Sequence, residues 1–232
     1  MKLQLLLLIF LIPSVSSAEY RIKLAAENSW PPYSNEAGEG ISKDKIQRAF
    51  DSVGVDVEFI VVPYARALFL AQSGKVDGAF NVTKQKSTLD KFVFGKVPIV
   101  QVKASFYYHK ESSLNFNTVD EIPAGTSIAL IRDYEYGEPY ETSRHKFNEV
   151  RVSSQKQIIK LLQLKRVDMA IMFDDVAEYC LSELKLNKDE IKKGHINHTS
   201  DIFVAFNKHK KLSEVILLLD EGLKQTHVNY SD

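Results

Sequence analysis

Apolar positions recur along this chain at two different spacings. Residues 55–61 are apolar at every second position, which is typical of a strand with one buried face. Residues 42–53 carry apolar side chains at helical spacing, with Ser42 as the expected N-cap and Gly54 as the expected stop. The pattern therefore predicts a helix followed directly by a strand.

The alternation continues as two αβ series. The first has predicted strands at residues 20–26, 55–61 and 77–82, with helices at 42–53 and 64–73. The second has predicted strands at 127–131, 149–152, 168–172 and 201–207, with helices at 138–147, after the N-cap Ser154, at 175–185 and at 212–223. This order predicts an α/β protein with mostly parallel sheets flanked by helices.

Extended segments lie between and after the two series. Residues 96–110 are rich in valine and aromatic residues and leave no room for a crossover helix. Residues 103–108 and 202–206 both lack a flanking crossover helix, which favours strands that pass between two lobes. One continuous sheet is the simpler alternative.

The N-terminus has the order of a secretory signal. Lys2 precedes an apolar run at residues 5–12, and Pro13 is followed by the small residues Ser16 and Ala18. We expect cleavage after Ala18. A membrane anchor is the alternative, but a spanning helix needs about 20 apolar residues. No cysteine lies near the cut, so we expect no lipid anchor.

Charge and rare residues exclude several classes of function. The sequence has 30 basic and 30 acidic residues, which gives no electrostatic reason to bind nucleic acid or an anionic membrane. The lone Cys180 lies in a predicted helix and is expected to be buried filler. His195 and His198 have metal-ligand spacing but no third ligand type nearby, so we expect surface histidines. We expect no metal and no cofactor.

Three stretches together resemble a known family. They are Trp30-Pro31-Pro32-Tyr33 followed by the helix opening at residues 38–44, Pro63-Tyr64-Ala65-Arg66-Ala67-Leu68 followed by residues 74–79, and Asn81-Val82-Thr83-Lys84-Gln85-Lys86 running into residues 92–98. Their order and spacing resemble the family 3 extracellular solute-binding proteins, the periplasmic receptors of polar amino acid importers. The resemblance covers essentially the whole chain after the signal.

The resemblance implies two lobes joined by two hinge strands, with the ligand in the cleft between them. The first lobe would comprise residues 19–100 plus 202–232, and the second residues 101–201. Such a protein is a periplasmic monomer that closes on a small polar ligand, an amino acid or a relative, and delivers it to the permease of an ABC importer. It would not be an enzyme.

The resemblance also implies a set of ligand-binding residues. The set consists of Trp30, Tyr33, Tyr64, Arg66, Asn81, Lys86, Arg132, Asp133, Tyr134 and Asp174. Aromatic rings would cover the apolar part of the ligand, a cation would take a carboxylate, and an aspartate would take an ammonium group.

The sequence departs from the family at two of these positions, and at a third the alignment is open. Lys86 stands where the family has an arginine that grips the ligand carboxylate, and lysine lacks the planar fork. Asp133 stands where glycine is expected. Asp174 is the expected acceptor of the ligand amine, although Phe173 or Asp175 could align there instead.

Two other functions use the same fold. A ligand-sensing receptor would serve a signalling partner rather than an importer. A dehydratase-like enzyme would need a buried acid–base pair in the cleft, and the sequence offers no clear candidate.

Overall fold

The computed structural model describes residues 21–228, so the predicted signal sequence at residues 1–18 lies outside the described residues. The strands are β1 (Arg21–Glu27), β2 (Asp56–Val62), β3 (Gly78–Thr83), β4 (Phe92–Phe94), β5 (Val100–His109), β6 (Ser127–Ile131), β7 (Asn148–Val152), β8 (Met169–Phe173) and β9 (Ile191–Asn207). The helices are α1 (Ile41–Ser52), α2 (Tyr64–Gln72), α3 (Lys86–Leu89), α4 (Glu138–Ser143), α5 (Gln155–Gln163), α6 (Asp174–Glu183) and α7 (Ser213–Val228).

The strands are hydrogen-bonded in the order β2-β1-β3-β9-β5-β8-β6-β7, and β4 also pairs with β9. In the first lobe β1 runs parallel to both β2 and β3, and in the second lobe β6 runs parallel to both β7 and β8. The predicted parallel sheets are therefore confirmed in each lobe.

β5 and β9 join the two groups of parallel strands. β9 pairs with β3 and β4 through its C-terminal end, whereas β5 pairs with β9 along its whole length and with β8 near its C-terminal end. The β5–β9 register shifts around Ala104 and Ser105, and such bulges bend a strand. Two strands thus cross between the lobes, as predicted.

β9 is longer than the sequence indicates. Its residues 191–201 are mostly half-buried or exposed, so they show no apolar alternation that would predict a strand. The stretch 195–198, which contains both histidines, is therefore part of this connecting strand.

Helix α7 packs against α1 on the outer face of the first lobe. Gly222 lies so close to α1 that a side chain there would meet the backbone of Ala49. Asp220 accepts hydrogen bonds from the backbone N–H groups of Lys96 and Val97 at 2.8–2.9 Å. The C-terminal helix is thus tied to the same lobe as the first strands.

The start of α1 differs from the prediction. The helix begins at Ile41 with Gly40 as the N-cap residue, and the buried Ser42 hydroxyl caps nothing. Gly40 has φ 145°, and a Cβ there would lie 2.6 Å from the carbonyl oxygens of Pro32 and Tyr33. The close passage of the loop at residues 32–33 therefore fixes where the helix begins.

Other local expectations agree with the structure more closely. Ser154 caps α5 through its side chain, and Cys180 is buried in α6. The helix expected at 138–147 is split into α4 and a 3-10 turn over Arg144–Lys146. Among residues 21–228, none of the helices is both long and apolar enough to cross a bilayer, and no cluster of three potential metal ligands occurs.

Candidate functional site

The loops that follow β1, β3, β6 and β8 meet between the lobes. Parallel strands place their carboxyl ends at the same edge of a sheet, which is where ligands bind in open α/β folds. These loops and strand ends enclose a cavity of about 10 Å³, roughly the space of one water molecule. Its lining residues are Glu27, Trp30, Tyr64, Asn81, Thr83, Tyr134, Glu135, Phe173 and Ile202. The two lobes are therefore closed on each other.

Hydrogen bonds across the cleft hold this arrangement. The Tyr134 hydroxyl donates to Glu27, and the Tyr64 hydroxyl donates to Glu135 at 3.0 Å. Thr83 donates to the same Glu135 oxygen at 3.2 Å. At the rim, the Tyr33 hydroxyl donates to Asp175. Each bond joins the first lobe to the second.

Aromatic rings from both lobes surround the cavity. Trp30 contacts Phe173 edge to face with ring centroids 5.2 Å apart, and Tyr64 contacts Tyr134 in the same way at 5.0 Å. Tyr33 packs behind Trp30 at 4.5 Å. A flat or elongated apolar group that enters here would meet ring faces and edges from both lobes.

Two carboxyl groups lie in this aromatic environment. Glu27 is 2% exposed, and burial raises the pKa of its carboxyl to about 8, although the bond from Tyr134 works against the shift. Burial likewise raises the pKa of the half-buried Glu135 to about 7, against the bonds from Tyr64 and Thr83. Within residues 21–228, no lysine, arginine or histidine lines the cavity to compensate these charges.

Asn81 adds an amide without a partner. The residue is 5% exposed, and neither its side-chain nitrogen nor its oxygen has a hydrogen bond. Its φ of 67° coincides with a register shift between β3 and β9, so the strand bulges where it meets the cavity. The buried Trp30 Nε1 also lacks a partner. Because buried polar groups are nearly always hydrogen-bonded, these atoms are exceptional.

The structure brings half of the sequence-predicted site residues together. Trp30, Tyr64, Asn81 and Tyr134 line the cavity, and Tyr33 closes the rim above it through Asp175.

The other half lies outside the cavity lining. Arg66 is exposed with its guanidinium 5.2 Å from the Phe69 ring, and Lys86, Arg132 and Asp133 are exposed as well. The half-buried Asp174 accepts hydrogen bonds from Tyr107 at 3.0 Å and Lys193 at 2.7 Å. Ligand contacts by these five residues stay predictions.

After β8, Phe173 lines the cavity and Asp175 accepts the hydrogen bond from Tyr33 at the rim. Sequence reasoning missed Glu27, Thr83, Glu135 and Ile202. Glu27 had a usable signal, since it is an acidic residue at the end of an apolar strand. Glu135 lies inside the loop that the sequence had already selected through Asp133 and Tyr134.

His198 corrects a further expectation. Its ring lies 5.8 Å from Phe173, and burial lowers its pKa to about 4. It packs behind the cavity wall rather than on the surface, whereas His195 is exposed as predicted.

Sequence comparison finds no matching family model and no matching curated protein. A histidine kinase sensor domain with similarity to periplasmic binding proteins superposes with a TM-score of 0.76 at 17% identity, over 91% of this chain and 92% of that one. The fold is that of the two-lobed periplasmic binding proteins. The prediction of this fold class is confirmed.

Two further solved structures share the fold. An ancestral arginine-binding protein bound to arginine has a TM-score of 0.74 at 16% identity, over 90% of this chain and 93% of that one. The amino acid ABC transporter substrate-binding protein AbpA from Streptococcus pneumoniae, bound to L-arginine, has a TM-score of 0.72 at 17% identity, over 90% of each chain. At these identities the likeness establishes the fold, and the function has to be argued from the site.

Proposed function

We propose that this chain is a solute-binding protein that captures a small polar ligand between two lobes and delivers it to the permease of an ABC importer. The observation that carries the proposal is the buried cavity at the strand ends, which both lobes line. The arginine-bound structures of similar fold, one of them from an ABC transporter, support the same class of function.

Capture works by closure about β5 and β9, the two strands that cross between the lobes. A ligand shifts this equilibrium only by its differential affinity for the closed state. A cavity of about 10 Å³ is too small for an amino acid, so the ligand displaces the tyrosine hydroxyls and replaces their bonds across the cleft. In this proposal the lobes comprise residues 19–100 plus 202–232 and residues 101–201.

Export to the periplasm and cleavage after Ala18 belong to the same proposal, as does a monomeric state. Mass spectrometry of peptides from the exported protein should identify Glu19 as its first residue. An intact Met1 end in the membrane fraction would contradict the proposed localisation.

A sensing role is the second candidate, and the sensor domain of similar fold favours it. Both candidates require the same ligand cleft. Transfer of bound ligand to membrane vesicles that carry a permease would support import, whereas release that depends on a kinase partner would support sensing.

Glu27 and Glu135 are two carboxyl groups of the cleft that the sequence did not reveal, and such a pair is what acid–base catalysis would need. We propose that they bind rather than react, since hydroxyl donors occupy both in the closed state. A ligand recovered chemically unchanged after prolonged incubation would agree with binding.

Ligand screening by thermal shift, followed by solution scattering, tests the proposal. Ligand at about 100 times its Kd should stabilise the protein by about 2.7 kcal/mol. The liganded protein should have the radius of gyration calculated for the closed lobes of the structure. A liganded protein with a radius of gyration well above that value would contradict closure on the ligand.

A further inference from the structure

We infer that the ligand is a small organic cation, an amine or guanidinium compound with an apolar portion, and that the cleft recognises no carboxylate on it. This inference rests on the proposed function and names its ligand class. The starting point is the charge of the cavity lining, which has two acidic residues, Glu27 and Glu135, and in the described part of the chain no basic residue. Both acids belong to the closed cleft, one from each lobe.

An independent observation points to a ligand at the same place. Asn81 presents an unpartnered amide to the cavity, and its oxygen is a ready acceptor for an ammonium or guanidinium N–H group. Trp30 Nε1 is a further buried donor without a partner, which suits a hydroxyl or amide oxygen elsewhere on the ligand. An unsatisfied buried polar group costs free energy, and a guest that bonds to it recovers that cost.

The aromatic rings favour the same class of ligand. Trp30, Tyr64, Tyr134 and Phe173 surround the cavity, and the ring faces of such residues attract cations. Rings of this kind also cover an alkyl chain. A cation with an apolar stem therefore matches both the charge and the shape of this lining.

The basic residues that could have gripped a carboxylate lie elsewhere. Arg66 and Lys86 are exposed outside the cavity lining, and Lys193 donates to Asp174 at 2.7 Å. Arg144 and Arg151 border a neighbouring groove, where both bind Glu149. A carboxylate buried in the cavity would meet Glu27 and Glu135 without compensation, and an unpaired buried charge is costly.

Binding of a cation should also move protons. Burial in the closed cleft favours the protonated forms of Glu27 and Glu135, and a bound cation favours their ionised forms. The complex therefore releases protons to the buffer as it forms. The hydroxyls of Tyr134 and Tyr64, which now donate to Glu27 and Glu135, give way to the N–H groups of the ligand.

Agmatine and arginine form the decisive pair of probes, because they carry the same guanidinium group and differ by the carboxylate. Calorimetry on the mature protein near neutral pH should show agmatine binding at least about 10-fold more tightly than arginine. Repeating the titration in buffers of different ionisation enthalpy should show proton release. Putrescine extends the cation series, and glutamate and glutamine serve as probes without net positive charge.

Matched variants locate the effect. Glu27→Gln and Glu135→Gln should each weaken agmatine binding about 10- to 100-fold and reduce proton release, since a bond to a charged group is worth about 1.5–3 kcal/mol. Glu36→Gln, at an exposed position outside the cavity, is the control and should change neither quantity. Circular dichroism checks that each variant keeps its fold.

The outcomes separate this inference from the function on which it rests. If glutamate, glutamine or arginine binds more tightly than agmatine, closes the lobes and is indifferent to both Glu→Gln variants, the charge assignment is wrong and the binding function stands. If no probe of either kind stabilises the protein or gives a binding signal in calorimetry, the binding function fails together with the inference.

Discussion

Glu27 and Asp220 are both buried acidic residues of the first lobe, and their surroundings differ. Asp220 on α7 is 5% exposed and accepts bonds from the backbone N–H groups of Lys96 and Val97 within its own lobe. Glu27 on β1 is 2% exposed and accepts its bond from Tyr134 of the other lobe, among aromatic rings. The first arrangement holds the lobe together, whereas the second can be exchanged when the lobes separate.

Buried polar groups with a structural role differ from those with a binding role in where the hydrogen-bond partner lies. A polar group tied to the backbone of its own lobe stays satisfied in every arrangement of the two lobes. A polar group whose partner lies across the cleft, or is lacking as at Asn81, is satisfied only by closure or by a ligand. Polar burial near α7 therefore predicts stability, and polar burial at the cleft predicts binding.

The largest effect should follow from removing the structural carboxyl group. Asp220→Ala leaves the N–H groups of Lys96 and Val97 without a partner and should lower the free energy of unfolding by about 2–4 kcal/mol. Urea denaturation measures the loss. Asp120→Ala, at an exposed position, is the control and should stay within about 0.5 kcal/mol. Equal effects of the two variants would contradict the structural role of Asp220.

Glu27, the carboxyl group in the cleft, should lower the stability of the folded protein when it is ionised, whereas Asp220 raises it. The folded protein raises the pKa of Glu27 from its ordinary value of 4.5 to about 8, so it binds this proton more tightly than the unfolded chain does. Stability should therefore fall by a few kcal/mol as pH rises through that window, because the unfolded chain loses this proton at a lower pH than the folded protein does. Tyr134, Tyr64 and Glu135 face Glu27 there.

Glu27→Gln tests that sign, because it removes the titrating group and keeps the shape. The variant should be more stable than wild type near pH 8 and nearly equal to it near pH 4.5, with urea denaturation as the measurement. A wild-type protein that gains stability across the same range would show that Glu27 is ionised and compensated in the folded state.

Much of the fold could be predicted because its helices and strands bury apolar side chains at regular spacings along the sequence. The span of β6 was predicted to the residue, and the parallel strands of both lobes followed from the alternation of strand and helix. β9 was cut short because its N-terminal half crosses between the lobes with little burial. A strand that is held mainly by backbone hydrogen bonds does not need apolar residues at every second position, so the sequence shows no alternating pattern there.

The site was predicted less well, for a different physical reason. Trp30 and Tyr134 lie in loops and Tyr64 begins α2, at places that follow from the strand order. Glu27 and Glu135 escaped notice because a charged residue at a strand end or in a loop is usually solvated, whereas in the structure the opposite lobe covers each of them. Which side of a short helix faces the cleft likewise depends on packing that no local pattern records.

The smallest expected effect on ligand binding is that of substituting Lys86. At this residue the family resemblance and the structure predict different results. The resemblance alone predicts that Lys86 anchors a ligand carboxylate, so that Lys86→Ala would weaken binding about 10- to 100-fold and Lys86→Arg would restore it. In the structure Gln85 and Thr88 form a capping box around the first turn of α3, with Thr88 buried and Lys86 exposed. From that position we expect both variants to bind within about twofold of wild type.

Calorimetry with agmatine and with arginine decides between the two predictions for Lys86. Equal affinities for wild type, Lys86→Ala and Lys86→Arg would leave Lys86 as surface charge and agree with recognition by Glu27 and Glu135. A selective loss of arginine binding in Lys86→Ala, with agmatine unaffected, would mean that Lys86 reaches the ligand carboxylate in the liganded arrangement. That result would agree with the family pattern at Lys86, because a loss confined to the ligand with a carboxylate means that the lysine binds this carboxylate.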